Sequence, residues 1–251
     1  MARTPVSSIA RITVHRPAAD DENARACRMC GARALAPVGK VEGYSFVECP
    51  NCGFIFTPNL PDSDAPPEAS AGRPVGGWAN IDFLEPALAR LEGSRLSVLD
   101  FGAGESRVPD LLRAKGHRVI AVDVLPPDEP HPDRLTGTLE TLHLTPRQFD
   151  LVYAFQVFEH LPEPAPVLDE LLALTRPGGL LLIHTDMEVP ERAAGFTGWW
   201  YVLPPDHCAF YRHHTFEVFC RDTPHRLIWT DAKRVLIEVG RKHEAPVSKR
   251  D

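Results

Sequence analysis

The sequence has no run of about 18 apolar residues, the length that a helix needs to cross a membrane. Its first segment, Met1 to Pro17, also lacks the apolar stretch that a secretory signal contains. We therefore expect a cytoplasmic protein without a transmembrane helix. Apolar residues make up 43% of the chain and charged residues 24%, which is ordinary for a soluble globular protein.

Basic residues are not in excess over acidic ones. The chain has 27 Lys and Arg against 34 Asp and Glu, which gives a formal net charge of -7. Binding to the phosphates of a nucleic acid usually relies on clustered positive charge, so the balance disfavours a nucleic-acid partner. A local basic patch would keep that alternative open.

Changes in composition along the chain predict one large domain and a smaller appendage, because domains usually hold about 100–200 residues. Residues near Pro61 to Gly77 are rich in Pro, Asp, Ser, Ala and Gly, a composition typical of linkers. The predicted segments are a flexible tail (1–22), a cysteine-bearing unit (23–60), a linker (61–77), the main domain (78–245) with an inserted segment around 190–220, and a second tail (246–251).

Strand and helix patterns alternate in the main domain, which predicts an α/β fold. We expect a Rossmann-like, doubly wound, mostly parallel seven-stranded sheet that ends in an antiparallel hairpin. In such sheets ligands bind beyond the carboxyl ends of the strands. The predicted strands are 96–101, 118–124, 135–139, 149–155, 180–185, 226–229 and 234–239, and the predicted helices are 78–91, 108–115 and 166–175.

A glycine turn, Asp100-Phe101-Gly102-Ala103-Gly104, follows the first of these strands. The two glycines permit a tight turn and the close approach of a ligand. The third glycine of a dinucleotide fingerprint is absent, because the chain continues as Glu105-Ser106, and this disfavours NAD and FAD. Asp123 ends the next strand about 20 residues later, where an acidic residue can reach the hydroxyls of a ribose. A tight turn and a strand-ending Asp without any ligand are the competing interpretations.

Two further motifs follow in order, namely the segment 149–161, read as Phe-Asp-Leu-Val-Tyr-Ala-Phe-Gln-Val-Phe-Glu-His-Leu, and the turn Arg176-Pro177-Gly178-Gly179. With the glycine turn and Asp123, these motifs make the chain resemble the class I S-adenosylmethionine-dependent methyltransferases over residues 95–185. The resemblance implies S-adenosylmethionine as the cofactor, with Gly102 and Gly104 below its methionine part and Asp123 on its ribose.

The same resemblance implies the remaining cofactor contacts. Leu139, within Thr138-Leu139-Glu140, would lie near the adenine, although this loop departs from the commoner acidic pattern. Phe155 and Gln156 would lie near the sulfonium. The implied cofactor site also includes Asp100, Phe101, Ala103 and Val124.

Four of the six cysteines form two Cys-x-x-Cys pairs, Cys27 with Cys30 and Cys49 with Cys52, and a Gly follows each pair. Two such pairs supply four thiolates for a tetrahedral zinc ion. Four thiolates leave no open position, so we expect structural zinc, with a redox pair as the alternative. The arrangement resembles methyltransferases that carry an N-terminal zinc ribbon and act on natural products, sugars or ribosomal RNA.

Methyl transfer to a hydroxyl or protonated nitrogen also requires a proton acceptor, and His suits this role near neutral pH. His160 follows the fourth strand, whereas Asp206, His207 and Tyr211 lie in the aromatic segment 198–216, which is predicted to cap the substrate. We expect His207 to be the general base. A packed aromatic segment with solvated histidines is the competing interpretation.

The predicted function is methyl transfer from S-adenosylmethionine to an O or N, or alternatively a C, nucleophile of a small molecule, such as a natural-product or sugar intermediate. An RNA or protein methyltransferase that docks through the zinc ribbon is the first alternative. A noncatalytic zinc-ribbon interaction protein is the second. The sequence does not identify the acceptor, and it leaves both a monomer and a homodimer open.

Overall fold

The computed structural model describes residues 26–60, 80–191 and 193–240. The predicted tails, the predicted linker and Trp78 lie outside these ranges. Within them, no helix combines the length and the apolar character required to traverse a lipid bilayer.

The described chain contains eleven strands and six α-helices. The strands are β1 (Ala36–Val41), β2 (Tyr44–Glu48), β3 (Ile55–Phe56), β4 (Ser97–Phe101), β5 (Arg118–Asp123), β6 (Arg134–Thr136), β7 (Phe149–Phe155), β8 (Thr175–His184), β9 (Ala209–Phe210), β10 (Arg226–Thr230) and β11 (Arg234–Glu238). The helices are α1 (Glu85–Leu88), α2 (Val108–Ala114), α3 (Leu139–Leu142), α4 (Pro164–Leu174), α5 (Ala193–Thr197) and α6 (His213–Arg221), with 3-10 turns at Asp82–Leu84 and Phe158–His160.

The main sheet has seven strands in the order β10-β11-β8-β7-β4-β5-β6. Strands β4 to β8 in this sheet pair in parallel, and β11 pairs antiparallel with both β8 and β10. The predicted fold class is thereby confirmed. The chain runs outward from β4 to β6 and then returns to β7, so the strand order reverses between β4 and β7, where doubly wound sheets bind ligands.

Both faces of the main sheet are covered, which explains why its central strands are continuous apolar runs. On one face, Leu99 and Val152 pack with residues of α4 such as Leu168. On the other face, Val98 and Leu151 pack with a second cluster that includes residues of α1 and α2. This double packing fixes the carboxyl ends of β4 and β7 next to each other.

Three predicted elements differ from the observed ones. The third strand does not extend to Leu139, because Gly137 leaves the extended conformation at φ +154° and Thr138 caps α3 by accepting a hydrogen bond from Thr141 N at 3.2 Å. The helix predicted over 78–91 is a 3-10 turn followed by the four residues of α1, where Pro86 occupies the first turn. Strand β8 begins at Thr175, before the predicted start at residue 180.

A second sheet has four strands in the order β1-β2-β3-β9, and its first three strands belong to the cysteine-bearing unit. Its last strand, β9, comes from the segment predicted as a substrate cap, and Phe210 in β9 pairs with Ile55 in β3. Arg28 joins this unit to the main domain, since it donates to the Pro162 carbonyl at 3.2 Å and forms an ion pair with Glu163 at 3.1 Å. The cysteine unit and the inserted segment therefore form one structure that packs on the main domain.

Candidate cofactor and acceptor site

The glycine turn leaves no room for a side chain at Gly102. This residue has a φ of +75°, and a Cβ built on it would lie 2.3 Å from Cγ2 of Val157. The backbone N–H groups of Gly102 and Ala103 donate to the Val122 carbonyl at 2.9 and 3.0 Å, which ties the turn to β5. The turn thus lies close to the end of β5, where Asp123, the residue predicted to bind the ribose, is found.

Asp123 lies beside this turn, at the carboxyl end of β5. Its carboxylate accepts hydrogen bonds from Gly104 N at 2.8 Å and from Leu125 N at 3.0 Å. Burial raises the pKa of Asp123, and the two backbone donors oppose that rise. A carboxylate at this edge, next to a turn with glycine at positions 102 and 104, fits the ribose and methionine parts of S-adenosylmethionine.

Asp100 lies below the turn rather than on its surface. It is 2% exposed, and burial raises the pKa of its carboxyl to about 7. The Tyr153 hydroxyl lies beside it, although Asp100 Oδ2 makes no hydrogen bond of ordinary geometry. Arg134 supports the turn from the other side by donating to the carbonyls of Gly104 and Ser106.

The other predicted cofactor residues occupy the same edge of the sheet. Phe101 and Ala103 are buried in the turn, and Leu139 is buried at the start of α3. Val124 follows β5, while Phe155 ends β7 and Gln156 follows it with a φ of +54°.

A cavity of about 260 Å³ opens beyond the carboxyl ends of β7 and β8. One wall is a stack of Phe155 on His184, with ring centroids 4.3 Å apart, and Phe83 contacts both rings. Trp200, which is 67% exposed, lies at the edge of the cavity. The lining residues are Asn80, Phe83, Phe155, Gln156, His184, Asp186, Trp200, Tyr201 and Lys233.

His184 is held as a neutral ring in this wall. Burial lowers the pKa of His184 to about 4, and the charges of Lys233 and Arg234 lower it further. Its Nδ1 lies 3.0 Å from Nε2 of Gln156, and Oε1 of that amide lies 3.2 Å from the Tyr201 hydroxyl. The Gln156 amide thus bridges the His184 ring and the Tyr201 hydroxyl.

Tyr201 connects the cavity to a buried carboxylate. Its hydroxyl donates to Oε1 of Glu159 at 2.6 Å, and Asp186 N donates to the hydroxyl at 3.3 Å. Glu159 is fully buried, and burial raises the pKa of its carboxyl to about 7. The second oxygen of Glu159, Oε2, has no hydrogen-bond partner.

Three of the four predicted catalytic residues lie together behind Tyr201. His160 Nδ1 donates to the carbonyl of Asp206 at 2.9 Å, and His207 Nδ1 donates to the carbonyl of Tyr201 at 2.6 Å. The two imidazole rings are 4.7 Å apart between centroids. Burial and the neighbouring His207 lower the pKa of His160 to about 3.

The fourth predicted catalytic residue, Tyr211, is fully buried, and its hydroxyl donates to the carbonyl of Phe158 at 2.7 Å. None of the four is among the described residues that line the cavity. Their catalytic assignment stays a prediction.

The four cysteines of the two Cys-x-x-Cys pairs converge, with all sulfur atoms within 4.8 Å of one another. Cys27 to Cys52 and Cys30 to Cys49 are each separated by 3.6 Å between sulfurs. Zinc–sulfur bonds of about 2.3 Å in a tetrahedron place the sulfurs about 3.8 Å apart, so this donor set fits zinc. The Cys52 thiol lowers the pKa of Cys27 to about 5, which favours a thiolate.

A family model described as a methyltransferase domain matches residues 78–223. The chain belongs to this methyltransferase domain family. The match contains the glycine turn, Asp123 and the strands that carry the cavity, and it ends within the described C-terminal part of the chain.

Curated relatives in the methyltransferase family match only part of the chain. An uncharacterized methyltransferase of Mycobacterium bovis is 35% identical over 117 residues, which are 44% of this chain and 45% of the relative. A ubiquinone biosynthesis O-methyltransferase of Xylella fastidiosa is 28% identical over 118 residues, 42% of this chain and 46% of the relative. The chain thus spans about half the length of the curated relatives it matches.

A solved structure supports the methyltransferase fold. The 1,6-didemethyltoxoflavin-N1-methyltransferase of Burkholderia thailandensis, crystallised with 1,6-didemethyltoxoflavin and S-adenosylhomocysteine, superposes with a TM-score of 0.51. The alignment covers 82% of this chain and all of that chain, at 19% identity. At this identity the likeness concerns the fold alone.

Reasoning from the sequence misses five of the nine described cavity residues, namely His184, Asp186, Lys233, Asn80 and Phe83. A signal existed for the first two, because they follow the apolar run 180–183 at the ligand-binding edge of the sheet. Lys233 lies in the link between β10 and β11 and has no such signal. Tyr201 was included only in the broad aromatic segment.

Proposed function

We propose that this protein transfers a methyl group from S-adenosylmethionine to an O or N nucleophile of a small molecule. The cavity beside the glycine turn carries the proposal. Phe155 and Gln156 follow Ala154, which pairs with Phe101 in the adjacent strand. The turn and the cavity therefore share one edge of the sheet, as alignment of a methyl donor with its acceptor requires.

The cofactor would be held by residues of this edge. When bound, S-adenosylmethionine supplies an electrophilic methyl carbon. Asp123 would accept hydrogen bonds from the ribose hydroxyls, and the backbone of the glycine turn would adjoin the methionine part. Leu139 would adjoin the adenine, and Phe155 and Gln156 would adjoin the methyl group.

The walls of the cavity suit a small, partly aromatic acceptor. Phe83 and Tyr201 provide flat apolar surfaces, whereas Asp186 and Lys233 provide opposite charges 3.9 Å apart. Small-molecule sites usually occupy about 300–1,000 Å³ with a few convergent polar groups. This cavity, at about 260 Å³, is slightly smaller and suits a small acceptor. The net charge of -7 and the O-methyltransferase name of the Xylella relative also support a small acceptor with a hydroxyl.

Two cavity residues have complementary roles toward that hydroxyl. The His184 ring forms a hydrogen bond with the acceptor oxygen and orients it. Asp186 accepts its proton, since burial raises the pKa of this carboxyl and makes it a stronger base. We assign proton acceptance to Asp186 rather than to His207, because His207 reaches the cavity only through Tyr201. Zinc in the cysteine cluster has a structural role.

Isothermal titration calorimetry of S-adenosylmethionine tests the cofactor site. Asp123→Asn should weaken binding at least tenfold, because a hydrogen bond to a charged group contributes about 1.5–3 kcal/mol. The matched control is Asp222→Asn, which alters a carboxylate at the end of α6 and should leave affinity unchanged. A wild-type protein that binds no S-adenosylmethionine would refute the proposal.

Transfer of labelled methyl to a set of hydroxylated aromatic compounds tests the acceptor site. Asp186→Asn should lower turnover by about 100-fold or more while cofactor affinity stays at the wild-type level. An unchanged turnover would dismiss Asp186 as the proton acceptor but would leave the cofactor assignment intact.

A further inference from the structure

We infer that Glu159, His160 and His207 form a second metal site, separate from the cysteine cluster, that takes a divalent transition metal such as Zn²⁺. One carboxylate oxygen of Glu159 and one ring nitrogen of each histidine lie within 4.8 Å of one another. Ligands of one zinc ion, bound at about 2.0–2.2 Å, stand roughly 3.5 Å apart, so small side-chain adjustments bring these atoms to bonding distance.

The first supporting observation is the unpartnered oxygen of Glu159. Oε1 accepts the Tyr201 hydroxyl, whereas Oε2 is buried without any hydrogen bond. Among the described residues, no Lys or Arg forms an ion pair with this carboxylate. A buried carboxylate without a cation is costly, because it loses its hydration and gains little in return. A divalent cation bound at Oε2 would supply the missing interaction.

The orientation of both imidazole rings is a second and independent observation. The carbonyl oxygens of Asp206 and Tyr201 can only accept hydrogen bonds, so Nδ1 of His160 and of His207 carries the proton in each ring. In the neutral form of each ring, the lone pair is then on Nε2. Histidines that bind metals commonly donate their other N–H to a backbone carbonyl in this way, which fixes the ring for coordination.

The position of the site suggests what such a metal does. Glu159 holds Tyr201, which lines the cavity, and the Glu159 carbonyl accepts from Cys208 N at 2.8 Å next to β9. A metal at Glu159 would therefore fix the wall of the cavity from behind. Three protein ligands also leave a position for water, in contrast to the closed set of four thiolates.

Cobalt titration of the full-length reduced protein tests this inference. Thiolate-bound Co²⁺ absorbs strongly through sulfur-to-metal charge transfer, whereas Co²⁺ on nitrogen and oxygen ligands gives only weak d–d bands. We expect two equivalents per chain, the second of which adds no thiolate absorption. Saturation at one equivalent, with only the thiolate spectrum, would overturn the proposal.

Variants then assign the second equivalent. Glu159→Gln and His207→Ala should each bind one equivalent less than wild type, with circular dichroism confirming that they are folded. His214→Ala removes an exposed histidine of α6 and should retain both equivalents. If the two site variants fail to fold, the wild-type stoichiometry alone decides. Because metal is counted without cofactor or acceptor, this result is independent of whether methyl transfer occurs.

Discussion

Replacement of Gly102 by alanine should lower the free energy of unfolding by about 2–5 kcal/mol. The backbone at φ +75° is unfavourable for any residue with a Cβ, at roughly 1–2 kcal/mol. The new Cβ would also lie 2.3 Å from Cγ2 of Val157, and overpacking of this kind costs about 1–3 kcal/mol. Urea unfolding followed by circular dichroism measures the sum.

Two further variants separate the backbone cost from the packing cost. Gly116→Ala is the matched control, because Gly116 has a φ of +95° and a Cβ added there would meet no atom within 4 Å, so only about 1–2 kcal/mol should be lost. Val157→Ala removes the contacting methyl groups. The double variant with Gly102→Ala should therefore lose about 1–3 kcal/mol less free energy of unfolding than the two single variants lose together. Equal losses in Gly102→Ala and Gly116→Ala, or strict additivity with Val157→Ala, would refute the close packing at this turn.

Two other predictions concern Asp100 and the cysteine cluster. The native pKa of Asp100, about 7, lies above the unfolded value of 3.8, so its contribution to stability is greatest at low pH and falls as pH rises between these values. The free energy of unfolding of Asp100→Asn, relative to that of wild type, should therefore rise by up to about 1.4 kcal/mol per pH unit in that window. A difference in urea midpoint between the two proteins that is the same at about pH 4.5 and about pH 7.5 would contradict this. Cys49→Ser should weaken the thiolate absorption of the cobalt-loaded protein and lower its Tm, because one of four thiolates is lost. Cys220→Ser, outside the cluster, should keep the full absorption, and an equal loss in both variants would count against the assigned ligands.

The central strands and the cofactor edge could be predicted from the sequence because their signals are local. The predicted strand at Phe149 to Phe155 coincides with β7, since a strand covered on both faces is a continuous apolar run. The glycine turn and Asp123 could be related because each follows a strand, and parallel strands end at the same edge. Leu139 was placed in the wrong element because the preceding Thr138 forms a helix cap that apolar periodicity does not reveal.

The cavity could not be predicted because its residues come from distant parts of the chain. Asn80, His184 and Lys233 meet only when the sheet is assembled with its hairpin. Strand β9 has two residues, too few for any periodic pattern, and its pairing with β3 depends on the docked cysteine unit. Side chains that contact each other through long-range packing leave no spacing rule in the sequence.

The pairing of β9 changes the expected role of the cysteine unit. From Tyr201 to Phe210, one short segment contributes a cavity wall, then His207, and finally the strand that pairs with Ile55. The hydroxyl of Thr215 also donates to the Cys52 carbonyl at 2.9 Å, directly at the cluster. A metal bound by the four thiolates would add to the stability of this small sheet. Removal of the proposed zinc should therefore loosen the Tyr201 wall of the cavity while the main sheet stays folded, as expected if the cysteine unit supports the cavity rather than acting as a separate docking module.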